Sequence, residues 1–250
     1  MKIEGLSKSF GKKTILDDID LTIKKGKLTA FIGPNGAGKS TLLATMSRLI
    51  QTETGHIYLE GKDLKSFKSR DLAQQLSILK QMNHLNMNIT IFELVAFARF
   101  PYSKGNLTPT DKEKINLSIA QLGLTELAEE NIQNLSGGQL QRAYIAMILA
   151  QDTDYILLDE PLNNLDMNFA VQMMQLLTKL VTEFGKTVII VLHDINFAAS
   201  FADEIVAMKS GKIFAHDQTD QIIHEHILNP LYEMSVRIKE IEGKKFCLYF

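Results

Sequence analysis

Gly33-Pro34-Asn35-Gly36-Ala37-Gly38-Lys39-Ser40-Thr41 carries the most pointed chemistry in the chain, because it matches G-x-x-x-x-G-K-[ST], a loop whose backbone amides wrap phosphates. Glycines at 33, 36 and 38 open backbone conformations closed to other residues and let N–H groups approach phosphate oxygens at a helix N-terminus. Lys39 supplies a mobile charge for the β and γ phosphates, and Ser40 a hydroxyl for the Mg²⁺ that bridges them. The expected ligand is therefore ATP with magnesium. Its complement lies far along the sequence, where Tyr155-Ile156-Leu157-Leu158 ends in Asp159-Glu160. Asp159 is placed to hold magnesium opposite Ser40, directly or through water, which leaves Glu160 for water.

Two further groups could act on the same nucleotide. Val188-Ile189-Ile190-Val191-Leu192 delivers His193 and Asp194 to the end of a second apolar run, so His193 is either a γ-phosphate contact or a satisfied structural histidine. Leu135-Ser136-Gly137-Gly138-Gln139 opens a helix with apolar positions Leu140, Ala143, Tyr144, Met147 and Ile148 on one face. It reads either as a plain helix cap or as a second phosphate-binding end, with a hydroxyl, exposed amides and the positive end of the helix dipole. Phe10, followed by Gly11, could stack on adenine or fill a core.

The elements that must hold these groups are legible in the hydrophobic pattern. Leu28 to Ile32 is an apolar strand entering the phosphate loop, and the helix opens at Thr41-Leu42-Leu43-Ala44-Thr45-Met46. Lys2 to Ile23 alternates as an antiparallel flap with one exposed face, and Gly55 to Gly61 bounds a strand that extends it. Leu76 to Leu79 is another strand, ending at Lys80-Gln81-Met82 with Gln81 poised at its tip. The runs at 155 and 188 have the continuous apolar character of parallel strands buried on both faces. Between about 83 and 150 the recurrence is helical (Ile91, Leu94, Val95, Ala98, then Ile115, Ile119, Leu122), interrupted by a breaker-rich loop from Pro101 to Pro109. Met82, Met87, Phe92, Phe97 and Phe100 in this insert are either core or a protein-docking surface. Val206-Ala207-Met208 and Lys212-Ile213-Phe214 read as a hairpin across Lys209-Ser210-Gly211. His224-Glu225-His226 reads as solvated helix, its histidines on different sides, and not as a metal site.

Composition removes several function classes. A chain of 250 residues with 45% hydrophobic residues buries a substantial core, so disorder is excluded. With 27 basic and 29 acidic residues the formal charge is −2, giving no overall electrostatic attraction to nucleic acid or anionic lipid. Cys247 is the one cysteine and cannot pair internally, which suits a reduced compartment and a structural role. No segment approaches a membrane span, and Met1 to Gly5 has no signal-peptide core, so a soluble, cytoplasmic chain is expected.

In sequence order, the phosphate loop at 33–41, Gln81, Leu135–Gln139, Leu158–Glu160, Asp166 and His193 resemble the motifs of an ABC-type ATPase cassette over nearly the whole chain. The resemblance implies an α/β fold of the P-loop NTPase type, with a central mainly parallel sheet, an antiparallel β flap and a helical subdomain. It implies a single domain in which 1–82 and 151–250 form the ATP-binding core and about 83–150 the helical part with the signature. Cassettes of this kind pack head to tail as a homodimer, each ATP lying between one phosphate loop and the partner's signature. By the same resemblance Phe10 stacks on adenine, Gln81 senses magnesium and water, Glu160 is the general base, His193 is the switch histidine and Asp166 lies in the loop linking the two sites. Asn163 departs from the pattern, many cassettes having Ser there. A lone cassette without a membrane span resembles the detached ATPase of a transporter, working with two transmembrane permease subunits and, indirectly, an extracytoplasmic substrate-binding protein. It would sit peripherally on the cytoplasmic face of the membrane, its helical insert docked on the permeases.

Val95 to Tyr102, Leu162 to Met167 and Leu192 to Asn196 look like the ATPases of ferric-siderophore, haem and cobalamin importers, although that subfamily usually has Gly at the position of Ala98. Ferric-siderophore uptake is the expected task, with haem, cobalamin, metal-ion and exporter cassettes as alternatives. A nucleic-acid-associated ABC ATPase would carry a long coiled coil or a second cassette, and neither is present.

Overall fold

The computed structural model describes residues 1–80 and 87–249. Two sheets share the work expected of them. The antiparallel flap has the order β2-β1-β4-β5, from β1 (Lys2–Phe10), β2 (Lys13–Thr22), β4 (Thr54–Leu59) and β5 (Lys62–Asp63). The central sheet has the order β10-β9-β3-β8-β7-β6, from β3 (Leu28–Ile32), β6 (Leu76–Leu79), β7 (Tyr155–Asp159), β8 (Thr187–Val191), β9 (Glu204–Lys209) and β10 (Lys212–Gln218). β3, β6, β7, β8 and β9 run parallel, and β10 returns antiparallel along β9 across the turn at Ser210 and Gly211. The hairpin read at 206–214 is therefore an edge of the central sheet.

The strands earn their continuous apolar character by facing two cores. Ala30, Ile32, Ile156, Leu158, Val188 and Ile190 point into one cluster with the helices, while Phe31, Tyr155, Leu157, Ile189 and Val191 point into another with the flap. This alternation puts every residue of β3, β7 and β8 out of solvent. α1 (Lys39–Met46) lies on the flap side, burying Leu42, Leu43 and Met46.

α2 (Ser69–Ala73) precedes β6, and the helical insert follows: α3 (Ile91–Ala96), α4 (Phe100–Ser103), α5 (Pro109–Gln121) and α6 (Gly137–Ala150). Reciprocal capping boxes start α3 (Thr90 with Glu93), α5 (Thr108 with Asp111) and α6 (Ser136 with Gln139), each satisfying two orphan amides. The breaker-rich loop is shorter than its sequence suggests. Pro101 sits in the first turn of α4, where its missing N–H is no loss. α6 is also enclosed on more than one face, since Gln141, Ile145 and Ala146 are buried beside Ala143 and Tyr144. Arg99 knits the insert together: Nε donates to Asp111 Oδ1 at 2.8 Å, Nη1 to the Ala150 carbonyl at 2.9 Å, and the guanidinium lies 3.8 Å from the Tyr102 ring centre. Among the aromatics left open between core and surface, Phe92 packs partly against the core, whereas Phe97 and Phe100 are 52% and 61% exposed. Met87 is exposed as well, and Met82 lies outside the described residues. Ala98, at the position where that subfamily usually has Gly, faces inward and is buried in the core.

α7 (Met167–Phe184) and α8 (Ile195–Phe201) cover the sheet on the helical side, and α9 (Thr219–Ile222) and α10 (Glu225–Tyr232) lead to a terminal hairpin of β11 (Val236–Ile241) and β12 (Lys244–Tyr249). His224 is the extended residue before α10, and its ring centre lies 5.4 Å from that of His226, so the two do not diverge around one helix as expected. Among the described residues no group of three His, Cys, Asp or Glu is arranged to hold an ion. Cys247 is buried in β12, and burial, with Asp194 nearby, pushes its thiol up to about 11, so it stays protonated and structural.

Candidate functional site

The sheet register assembles the site. Phe31, Val191 and Asp159 pair in one row across β3, β8 and β7, so Gly33, His193 and Glu160 emerge side by side at the carboxyl edge. In open parallel sheets that edge is where ligands bind.

The phosphate loop is shaped by close packing. Gly33 has φ +137°, and a Cβ there would fall 2.1 Å from the Met208 carbonyl oxygen, so no side chain fits. A Cβ at Gly36 would instead meet nothing within 4 Å, so the loop is unobstructed there. Lys39 is buried, and its ammonium donates to the carbonyls of Gly33 at 2.6 Å and Pro34 at 3.0 Å. Burial lowers its pKa, opposed by the carboxylates of Glu160 and Asp159. Ser40 Oγ donates to Asp159 Oδ1 at 2.8 Å. A hydroxyl and a carboxylate meeting at that distance are the hard oxygen donors that suit Mg²⁺.

Glu160 follows β7 in a left-handed conformation, φ +52°. Its carboxylate is held by two neighbours. Oε1 lies 2.6 Å from His193 Nε2, and Oε2 accepts from Asn163 Nδ2 at 2.8 Å. Asn163, noted in the sequence only as a departure from Ser, has the longer amide that reaches back from 161–166 to Glu160. His193 is thus bound into the acidic edge. A pocket of about 220 Å³ lined by Glu160, Asn163, His193, Asp194, Met167 and Phe197 adjoins it.

Phe10 is 54% exposed at the tip of β1 with the Lys8 ammonium 5.2 Å from its ring centre, so it is not core. Ser136 and Gln139 engage each other, Ser136 N donating to Gln139 Oε1 at 2.8 Å and Gln139 N to Ser136 Oγ at 3.3 Å, as a helix cap does. Gly137 and Gly138 face Asn164: a Cβ on Gly138 would lie 3.3 Å from its carbonyl oxygen. Gln141 Nε2 donates to the Pro161 carbonyl at 2.9 Å, and the Arg142 guanidinium stacks 4.0 Å from the Phe169 ring centre. The N-terminal half of α6 is thereby tied to the segment 161–169, where Asp166 caps α7 by accepting from Phe169 N at 3.0 Å. Gln81 lies outside the described residues. Sequence reasoning missed Gln141 and Tyr232, whose hydroxyl accepts from Gly33 N at 3.1 Å; neither stands in a motif that draws notice.

No helix among the described residues is long and apolar enough to cross a membrane. The ABC transporter family model matches residues 16–163. The petrobactin import ATP-binding protein YclP of Bacillus subtilis (strain 168) is 48% identical over 250 residues, covering 100% of this chain and 99% of that protein. The petrobactin import ATP-binding protein FatE of Bacillus anthracis is 46% identical, covering 97% of this chain and 96% of that protein. Among solved structures, the dimeric MJ0796, a bacterial ABC transporter cassette, superposes with a TM-score of 0.80 at 30% identity over 87% of this chain and 98% of that one. The fold, the phosphate loop beside the acidic sheet edge and these relatives converge on one conclusion: the chain belongs to the ABC transporter family, as an ATP-binding, ATP-hydrolysing cassette.

Proposed function

We propose that two copies of this chain hydrolyse MgATP between them and power the import of a ferric siderophore through separate permease subunits. The observation that carries the chemistry is the meeting of Glu160 with His193 at 2.6 Å on the sheet edge that also holds Lys39, Ser40 and Asp159. Lys39 and the loop amides of Gly33, Pro34, Asn35, Gly36, Ala37, Gly38 and Thr41 grip the phosphates. Ser40 and Asp159, with Gln81, would hold a bound Mg²⁺, which would supply charge neutralisation at the phosphates. Glu160 accepts the proton of the attacking water, and His193 orients Glu160 and contacts the γ-phosphate. Phe10 stacks on adenine from its exposed position. Ser136, Gly137, Gly138 and Gln139 serve the partner's nucleotide, and Asp166 with its loop relays between the two sites.

Residues 1–82 and 151–250 act as the ATP-binding core and about 83–150 as the subdomain that meets the permease. An apolar groove of about 410 Å³ lined by Ile89, Ala96, Phe97, Phe100 and Leu107 is the docking surface, which keeps the cassette peripheral on the cytoplasmic face of the membrane. The cargo rests on the relatives: two that match nearly the whole chain at 48% and 46% identity are named for petrobactin import. Labelled ferric petrobactin uptake tests it. A strain deleted for this chain should lose energised uptake and regain it with wild type but not with Glu160→Gln. Undiminished uptake of petrobactin and other ferric siderophores in the deletion strain, with no second ATPase responsible, would refute the assignment.

A further inference from the structure

The segment from Glu225 to Tyr249 docks on the core through Leu228 and Leu231 of α10 and through little of its hairpin. In its hairpin only Val236 and Cys247 are buried, and the remaining positions are half-buried or exposed. Its hydrogen bonds nevertheless run to both halves of the ATP site. At one end Tyr232, the last residue of α10, accepts from the N–H of Gly33, the first residue of the phosphate loop, at 3.1 Å. At the other, Asn196 pairs with the backbone of Cys247 through both groups of its amide: Cys247 N donates to Oδ1 at 2.8 Å, and Nδ2 donates to the Cys247 carbonyl at 3.2 Å. Asn196 is three residues beyond His193 and is itself fixed through its N–H, which donates to Asp194 Oδ1 at 2.8 Å. The two ends are joined through α10 and β11, because Val236 N donates to Asn229 Oδ1 at 2.7 Å and Ile238 N to Glu225 Oε1 at 3.0 Å. These hydrogen bonds, linked by α10 and the hairpin, thus lead from Gly33 to the turn that carries His193, passing outside the central sheet.

We propose that this segment is a brace for hydrolysis, with Asn196 a positioning residue for His193 and Tyr232 a positioning residue for the phosphate loop. The inference rests on the reading of His193 as a γ-phosphate and Glu160 partner. A side-chain amide that completes two backbone bonds holds its own backbone in register with β12, so the His193 turn inherits the rigidity of the hairpin. Small displacements of a group that acts on the reacting phosphate are expensive in rate, whereas nucleotide binding is spread over the whole loop. The two ends of the brace should therefore separate kinetically.

The test is steady-state ATP hydrolysis by the purified full-length chain, with thermal melts of every variant. Asn196→Ala should lower kcat roughly tenfold with KM for ATP within about twofold of wild type. Asn196→Asp, which keeps the acceptor for Cys247 N–H, should recover part of that loss. Tyr232→Phe should instead raise KM several-fold with a smaller effect on kcat. Wild-type kcat in Asn196→Ala overturns the proposal, as does a joint loss of kcat and KM that merely follows a lowered melting temperature in both variants. His193→Ala separates the two levels: if it is inactive while Asn196→Ala is normal, the brace alone fails. If His193→Ala hydrolyses ATP normally, the reading of the site fails and the brace with it.

Discussion

Removing Arg99 should destabilise the chain more than any surface change, and the structure says by how much. The Arg99 side chain is 7% exposed and that of Asp111 3%, with Nε and Oδ1 at 2.8 Å. Arg99→Ala leaves the buried Asp111 carboxylate with only its Thr108 partners and the Ala150 carbonyl without its donor, a loss of about 3 kcal/mol, the low end for breaking a buried pair. Replacing both partners by apolar residues of similar volume, as in Arg99→Met with Asp111→Leu, should cost much less than Arg99→Ala alone, because no buried charge remains. Asp111 also predicts the acid behaviour. Burial works against its charge, yet the amide and hydroxyl of Thr108 and the guanidinium of Arg99 overcome it and bring the carboxyl from 3.8 to about 2. A folded pKa below the unfolded one gives stability that is nearly complete above about pH 4 and is lost as pH falls toward 2, at most about 2.5 kcal/mol at about 1.4 per pH unit. Urea melts between pH 2 and 7 should show this decline in wild type and its flattening in Asp111→Asn. A cost under about 1 kcal/mol for Arg99→Ala, or an acid limb unchanged in Asp111→Asn, would refute the reasoning.

Lys39→Ala should weaken ATP binding itself, measured by nucleotide titration, since it removes the buried cation that faces the phosphates. Gly33→Ala should sharply reduce folded yield or ATP affinity, because the new Cβ would sit 2.1 Å from the Met208 oxygen; normal melting and binding would contradict that packing. Phe100→Asp, on an exposed residue of the groove, should leave ATP hydrolysis by the isolated chain at wild-type level while lowering its co-purification with permease subunits and siderophore uptake.

Much of this architecture is legible in the sequence, for reasons that differ by element. The strands at 28, 155 and 188 announce themselves because two-sided burial requires unbroken apolar runs, and the parallel register then brings Gly33, Glu160 and His193 together without further information. The signature helix is legible through Ser136 and Gln139, whose capping box is a local device. What escapes the sequence is contact at long range between residues of ordinary type. Asn163 to Glu160 depends on the turn that Glu160 makes at φ +52°, and Tyr232 to Gly33 joins residues almost two hundred positions apart. The misreadings are local. Pro101 reads as a helix breaker yet sits in the first turn of α4, and the inward aim of Ala98 beside outward Phe97 and Phe100 follows from how α3 and α4 lie on the core.

The claim on which the rest depends is that the Glu160 carboxylate, held between His193 and Asn163, is the base for ATP hydrolysis. It is tested most directly on Glu160→Gln, with MgATP binding measured by titration and turnover measured as phosphate release on the same protein. Glu160→Gln should bind nucleotide at or above the affinity of wild type, turn over about 10²- to 10⁴-fold more slowly, and form a stable dimer in sedimentation at saturating MgATP. Hydrolysis within a few-fold of wild type, or loss of binding together with turnover, would contradict it.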